Sequence, residues 1–179
     1  MKIKTKDLVA TALLTTIAII IPLLVPIKVV IPPFSATLAS HVPLMLAMFI
    51  NPAAALFVAL GSALGFLFAL GPIVAARAAM HVFFVVAGSY MLKRRCNIFF
   101  VAFVTLLLHT LSDMFIVYVL FEAFGQTAIL KENTMQYAQY VIAAGTSLHH
   151  IMDFLIAMVI YIPLSRQNSE MFFPVSYKK

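Results

Sequence analysis

Long apolar runs, separated by short polar or proline-rich breaks, dominate the pattern of this chain. An α-helix needs about 20 mostly apolar residues to cross a hydrocarbon core roughly 30 Å thick, and most of the runs approach that length. The pattern predicts an all-α integral membrane protein. Six transmembrane helices are expected at about residues 8–25, 38–50, 53–70, 73–92, 98–121 and 138–163.

The second run is shorter than the others because prolines stand at both of its ends. Pro32-Pro33 and Pro43 lie near its start, and Asn51-Pro52 lies at its end. Too few residues remain between them for an untilted crossing. We therefore expect a thin or partly re-entrant element there.

Composition agrees with the membrane class. Hydrophobic residues make up 64% of the chain and charged residues 10%, which lies outside the range of soluble domains. No linker or low-complexity tract divides the sequence, so a single domain over residues 1–179 is predicted. The net charge of +6 comes from cations at the ends of spans, so the lipid bilayer and not a nucleic acid is the expected partner.

The distribution of Lys and Arg predicts the orientation, because cytoplasmic loops carry an excess of both. Lys28 and Lys131 fall outside if both termini are cytoplasmic. The other assigned cations then fall inside: Lys2, Lys4, Lys6, Lys93, Arg94, Arg95, Arg166, Lys178 and Lys179. The expected location is the bacterial plasma membrane, with the longest external loop, about 122–137, as a short polar lid.

Three of the predicted helices carry ionisable pairs at positions i and i+4. The pairs are Arg77 and His81, His109 and Asp113, and His149 and Asp153. That spacing places both members on one helix face, which must turn toward protein or water in a bilayer. At about 1.5 Å per residue, Arg77 lies roughly 7 Å and His81 roughly 13 Å from the outer surface. The pattern predicts a polar pocket that opens outward; an Arg77–Asp113 pair that only joins helices is the alternative.

An anionic organic ligand suits this pocket, because a guanidinium binds a carboxylate through two parallel hydrogen bonds. Histidine and carboxylate also suit zinc or nickel, but Arg77 among the ligands would repel a cation. We therefore predict no metal site and no cofactor, and keep a divalent-metal carrier as an alternative. The predicted substrate-binding residues are Ser40, His41, Arg77, His81, Asp113, Tyr140, His149 and His150.

Catalytic motifs are absent from the sequence. It contains no G-x-S-x-G elbow, no H-E-x-x-H and no Walker A motif, so the chain is not predicted to be an enzyme. An intramembrane protease that uses Ser62 or Ser40 with a histidine is the remaining enzymatic alternative.

Small residues recur at helical spacing in two of the predicted spans, which allows close helix contact. We interpret Gly61 and Gly65 as an internal packing surface. In the first helix, Ala12 and Thr16, or Thr11 and Thr15, are as compatible with a partner-facing surface as with internal packing.

The segment from Ser40 to Gly65 resembles the region around helices two and three in the S components of energy-coupling factor (ECF) vitamin transporters. The matching motifs are Ser40-His41-Val-Pro43, Asn51-Pro52 and Gly61-Ser-Ala-Leu-Gly65. The first helix resembles their A-x-x-x-A docking surface, with Ala12 retained and Thr16 in place of the second alanine. The resemblance implies a six-helix substrate-binding subunit that docks on a transmembrane coupling protein. Two ATPase subunits would then supply the energy by hydrolysing ATP.

Within that family, the segment from Phe34 to Pro43 and the Arg77-Ala-Ala-Met-His81 helix resemble the niacin-type members. The resemblance implies uptake of nicotinate or nicotinamide, and Arg77 favours the acid. S components for queuosine precursor, pyridoxine or thiamine stay open, because the shared signature does not report the ligand. Nickel and cobalt members carry an N-terminal Met-x-His segment, whereas this chain begins Met-Lys-Ile-Lys.

The pocket residues then have expected roles. Arg77 would pair with the ligand carboxylate, and His81 and His149 would hydrogen-bond the ring nitrogen or the carboxylate. Asp113 would hold a histidine in one tautomer.

Overall fold

The computed structural model describes residues 4–123 and 132–177, with side chains described from 135 onward in the second segment. The helices are α1 (Thr5–Leu24), α2 (Val42–Met48), α3 (Pro52–Leu70), α4 (Pro72–Ala79), α5 (His81–Lys93), α6 (Ile98–Ala123) and α7 (Glu132–Gln167), and the strands are β1 (Lys28–Ile31) and β2 (Phe34–Thr37). Half of the loop predicted at 122–137, residues 124–131, falls outside the described residues. The other positions are helical, since α6 ends at Ala123 and α7 begins at Glu132.

Within the described residues, five helical segments are long and apolar enough to cross a membrane. They are Thr5–Leu24, Pro52–Leu70, Pro72–Lys93, Ile98–Ala123 and Met135–Gln167. They overlap five of the six predicted spans and confirm a mostly helical membrane protein. The sixth crossing and the cytoplasmic termini stay predictions.

Helices α4 and α5 form one span with a tight turn between them. The N–H of Met80 bonds to the carbonyl of Arg77 at 3.0 Å, and the N–H of Phe83 bonds to that of Met80 at 3.1 Å. These i to i−3 bonds are typical of a short 3₁₀ turn inside a helix. The turn lies between Arg77 and His81, the two ionisable residues of this span.

The second predicted span is a short helix buried inside the bundle. Helix α2 has seven residues, all of them buried, and at 1.5 Å per residue it is about 10 Å long. The side chain of Asn51 accepts a hydrogen bond from the N–H of Ala54 at 2.9 Å and caps α3, which Pro52 begins. Helix α2 contacts α1, α3, α5 and α7, so it lies at the centre of the core.

A β-hairpin between α1 and α2 corrects the all-α prediction. Its strands are antiparallel, with Lys28 opposite Thr37 and Ile31 opposite Phe34. The run Val29–Ile31 is β-branched and favours an extended strand, while Pro32-Pro33 supplies the turn. Phe34 and Thr37 point inward and are buried, whereas β1 is exposed along its length.

Helix α1 packs on α3 through the two glycines. A Cβ atom on Gly65 would lie 2.5 Å from the carbonyl oxygen of Ile19, and one on Gly61 would lie 2.5 Å from Cγ2 of Thr15. This close approach confirms that Gly61 and Gly65 pack internally. Ala12 and Thr16 face away from that contact and are exposed.

The segment that follows α7 closes the end of the bundle away from the hairpin. The N–H of Phe173 bonds to the carbonyl of Phe49, just beyond α2, at 2.6 Å. Lys6 Nζ lies 2.9 Å from Glu170 Oε2, and this ammonium lowers the pKa of the exposed Glu170 carboxyl. The start of α1 and the end of α7 therefore meet at one end of the molecule.

Candidate functional site

Asp153 of α7 organises the turn that leads into α2. Its Oδ1 accepts the N–H of Ala39 at 3.0 Å, and its Oδ2 accepts the N–H of His41 at 2.9 Å. The same Oδ2 lies 3.2 Å from His41 Nδ1 and 3.4 Å from His149 Nε2. Ala39 has φ of 64°, a left-handed conformation that non-glycine residues rarely adopt. The buried carboxylate stabilises this turn and fixes where Ser40 and His41 point.

Arg77 of α4 forms a buried ion pair with Asp113 of α6. Arg77 Nη2 donates to Asp113 Oδ2 at 2.7 Å, and the Thr146 hydroxyl donates to the same oxygen at 3.0 Å. Arg77 Nη1 donates to the carbonyl of Pro33 at 3.3 Å, and its Cζ lies 5.8 Å from the centre of the Phe34 ring. Arg77 Nε is buried without a hydrogen-bond partner among the described residues. The guanidinium is therefore neutralised but keeps an unused donor.

All five histidines of the chain meet in one cluster. The ring centres of His41, His81 and His109 form a triangle with sides of 4.5, 4.7 and 4.7 Å. His149 lies 4.6 Å from His41, and His150 lies 5.2 Å from His109, centre to centre. Four separate elements contribute these rings, so the fold and not a local motif assembles the cluster.

The Arg77–Asp113 pair and the histidine cluster line the same cavity. Its free volume is about 20 Å³, enough for one water molecule by this measure. The lining residues are Phe34, Ser35, Ala36, Ser40, His41, Phe66, Val74, Arg77, Ala78, His81, His109, Asp113, Thr146 and His149. Six of the eight predicted substrate-binding residues are among them; the ligand role of each stays a prediction.

The other two predicted residues do not line this cavity. Tyr140 is 67% exposed, and its hydroxyl accepts a bond from Gln136 at 3.4 Å. His150 lies behind the cavity, with Nδ1 3.0 Å from His109 Nδ1. One helix face cannot hold both positions 140 and 149, because they are two and a half turns apart.

Several residues that shape the site were not among the predicted binding residues. His109 and Asp153 belong to the i, i+4 pairs, so the sequence did carry a signal for them. Thr146 lies one helical turn before the His149–His150 pair on α7, a weaker signal of the same kind. Phe34 begins the segment that resembles the niacin-type members, but the hairpin that carries it was not predicted.

The expected bond between Asp113 and a histidine is not formed among the described residues. His109 Nε2 lies 4.0 Å from Asp113 Oδ2, beyond hydrogen-bond distance. Arg77 and Thr146 already occupy that oxygen. Asp153, and not Asp113, is the carboxylate that contacts two imidazoles.

In the part of the chain that the structure describes, two groups of side chains could hold a metal ion. One is His41, His81 and His109, and the other is His41, His149 and Asp153; the ligand atoms within each group lie within 4.8 Å of one another. Histidine nitrogens and a carboxylate oxygen are ligands that zinc and related ions accept.

Comparison with known proteins gives one curated relative. The niacin transporter NiaX of Lactococcus lactis subsp. cremoris (strain MG1363) is 34% identical over 165 residues, which covers 88% of this chain and 73% of the relative. The chain belongs to the NiaX family. The similarity to niacin-type members is thereby confirmed, and with the apolar helices it identifies a multi-pass protein of the cell membrane. No protein-family model matches the chain, and no solved structure matches it.

We expect substitution of Asp153 to destabilise the protein through the turn that it holds. Asp153→Ala leaves the N–H groups of Ala39 and His41 unpaired, at about 1–3 kcal/mol for each buried group. Asp153→Asn keeps one acceptor oxygen and should cost less. The measurement is the thermal melting temperature of the purified protein, with a loss of several degrees expected for Asp153→Ala.

Glu170→Ala is the matched control, because it removes a carboxylate in the same way from an exposed ion pair, where such pairs contribute little. Equal melting temperatures for Asp153→Ala and Glu170→Ala would contradict the role given to Asp153.

Proposed function

We propose that this chain is the substrate-binding subunit of an ECF-type importer and captures niacin, in the form of nicotinate, from outside the cell. The observation that carries the proposal is a buried guanidinium at a cavity lined by imidazoles, in a chain related to a niacin transporter. Nicotinate has a carboxylate for Arg77 and a ring nitrogen for a histidine N–H donor. No ATP-binding motif occurs in the sequence, so partner ATPases would supply the energy.

Arg77 can bind a ligand carboxylate without leaving Asp113 unpaired. Its Nη2 serves Asp113, while Nε has no partner among the described residues and Nη1 makes only a 3.3 Å bond to the carbonyl of Pro33. A hydrogen bond from Arg77 to a charged carboxylate is stronger than one to the neutral carbonyl of Pro33. The ligand would therefore compete with the Pro33 carbonyl and not with Asp113.

The small cavity requires the hairpin to move when a ring binds. A volume of about 20 Å³ cannot contain an aromatic acid, since ligand pockets commonly measure about 300–1,000 Å³. The ring of Phe34 fills the space beside Arg77. It also packs against α7 at Gly145, where an added Cβ would lie 2.7 Å from the ring. Two-stranded hairpins are marginally stable alone, so the resistance to moving β1 and β2 comes mainly from their contacts with α7 and Arg77. Nicotinate would then take the space of the Phe34 ring.

Arg77 variants test the carboxylate assignment. In titration calorimetry on purified protein, Arg77→Ala should abolish measurable nicotinate binding. Arg77→Lys should stay at least about tenfold weaker, because an ammonium lacks the planar fork and charged hydrogen bonds contribute about 1.5–3 kcal/mol. The double variant Arg77→Gln with Asp113→Asn keeps the pair neutral and separates loss of binding from loss of folding. Parent-like nicotinate affinity in both single variants would exclude Arg77 as the carboxylate ligand.

Hairpin movement can be followed by fluorescence, because the chain contains no tryptophan. Val30→Trp places a reporter on β1, where Val30 is exposed, and nicotinate should change its emission. Phe99→Trp, at an exposed position near the start of α6, is the matched control and should not respond. A silent Val30→Trp reporter in protein that still binds nicotinate would count against the movement.

The exposed surface of α1 is the proposed docking site for the coupling protein. Ala12 and Thr16 face away from α3. The Thr16 hydroxyl donates to the carbonyl of Ala12 at 2.9 Å, so its hydrogen bond is satisfied within the helix. Ala12→Leu with Thr16→Leu should abolish uptake of labelled nicotinate by cells and leave binding to purified protein unchanged. Thr15→Leu, which faces α3, should instead lower the melting temperature. Normal uptake by the Ala12/Thr16 variant would remove this surface from the docking model.

A further inference from the structure

Four imidazoles line the cavity, whereas the proposed function needs only one histidine N–H donor. His41, His81 and His109 are each at least 96% buried, and their rings meet edge to face in a triangle. One nitrogen from each lies within 4.8 Å of the other two. In a tetrahedral zinc site with bonds of about 2.0–2.1 Å, such nitrogens are roughly 3.4 Å apart. Small ring rotations would bring them to that distance.

Hydrogen bonding leaves His109 with a free lone pair on Nε2. The Thr105 hydroxyl donates to the carbonyl of Val101 at 2.8 Å, so it accepts from His150 Nε2 at 3.3 Å. A neutral His150 then accepts at Nδ1 from the N–H of His109 Nδ1, 3.0 Å away. In a neutral imidazole the other nitrogen is unprotonated. His109 Nε2 is therefore a ligand atom whose ring is held from behind, the usual arrangement of a metal-binding histidine.

His41 and His81 each also have a ring nitrogen available to a metal. His41 Nδ1 lies 3.2 Å from Asp153 Oδ2 but forms no hydrogen bond with a described residue. With Nδ1 beside the carboxylate, Nε2 is the nitrogen available to a metal, as in the carboxylate–histidine pairs of many zinc sites. His81 Nδ1 is buried and has no hydrogen-bond partner among the described residues. A buried polar atom without a partner is uncommon in folded proteins.

Size and charge both favour a cation in this cavity. While the hairpin covers the cavity, its free volume of about 20 Å³ suits a single ion or water and no organic molecule. With neutral imidazoles, one arginine (Arg77) and two aspartates (Asp113 and Asp153) give the buried site a formal charge of minus one. Arg77 is already paired with Asp113 at 2.7 Å, so its repulsion of a cation is largely cancelled.

We propose that His41, His81 and His109 bind one divalent transition-metal ion of the zinc class. The second group is less suited, because both oxygens of Asp153 accept backbone N–H groups and His149 Nε2 lies 3.2 Å from the Ser40 hydroxyl. Three protein ligands leave a fourth position of a zinc ion open. In a second step, which rests on the proposed function, that position accepts the carboxylate or ring nitrogen of nicotinate.

The test uses Zn²⁺ and Co²⁺ alone on purified, chelator-stripped protein that carries no histidine tag. Calorimetry should give about one Zn²⁺ per chain, and Co²⁺ should give the visible absorption of a tetrahedral site. X-ray absorption of the zinc-loaded parent should show three imidazole nitrogens at about 2.0–2.1 Å. A first coordination sphere with a protein carboxylate oxygen, or no stoichiometric binding, would overturn the proposal without any variant.

Variants then separate the two groups of ligands. His81→Ala and His109→Ala should each lower zinc affinity at least about a hundredfold. His149→Ala, which removes the same ring from the same cavity, is the matched control and should change zinc affinity less than about threefold. Loss of binding in His149→Ala together with retention in His81→Ala would assign the other group and overturn the proposal.

Nicotinate titrations with and without zinc separate this inference from the proposed function. Nicotinate affinity at least about tenfold higher in zinc-loaded than in metal-stripped protein supports the second step. Nicotinate binding that is identical with and without zinc overturns that step and leaves the proposed function standing. Zinc binding at the triad without any nicotinate binding supports the metal site and rejects the proposed function.

Discussion

Buried polar groups in a membrane bundle must find partners within the protein, because the hydrocarbon offers no water. Asp153 provides these partners at the left-handed turn around Ala39 that leads into α2, where it accepts two backbone N–H groups. Helix α2 is wholly buried and contacts α1, α3, α5 and α7, so its position constrains how they pack. The carboxylate on α7 thus sets both the centre of the core and the direction of His41. Fold and site depend on the same two backbone hydrogen bonds.

The second buried carboxylate has a different effect. Asp113 neutralises Arg77 through one oxygen, and Thr146 donates to that same oxygen, so Asp113 keeps a partner if Arg77 shifts. Arg77 also holds the hairpin, through the carbonyl of Pro33 and the ring of Phe34. Under the proposed function, a ligand that binds Arg77 loosens the same contacts that close the cavity. Binding and hairpin opening are then thermodynamically coupled, and the ligand must interact more strongly with the open state.

Two simple features of the sequence, the length of the apolar runs and the spacing of the ionisable residues, predicted much of this arrangement. Apolar run length located five spans, and the i, i+4 spacing of ionisable residues identified the faces that turn inward, including Asp153. The hairpin was missed because eight residues around a Pro-Pro pair carry no span-length signal. Tyr140 was included because its depth suited a pocket mouth, but depth does not fix helix rotation, and the rotation that turns His149 inward leaves Tyr140 exposed. The individual hydrogen bonds, such as those from the backbone N–H groups to Asp153, depend on tertiary packing, which the spacing of residues in the sequence does not specify.

Charge links the two proposals about the cavity. With neutral imidazoles the buried groups carry a formal charge of minus one, which opposes the capture of an anion in a low dielectric. A divalent ion on the histidine triad changes that charge to plus one, and a bound nicotinate then brings it to zero. Nicotinamide is neutral, so its binding leaves the cavity charge at minus one without the metal and at plus one with it. The metal and Arg77 would thus act together, the ion by making the cavity electropositive and the guanidinium by fixing the orientation of the carboxylate.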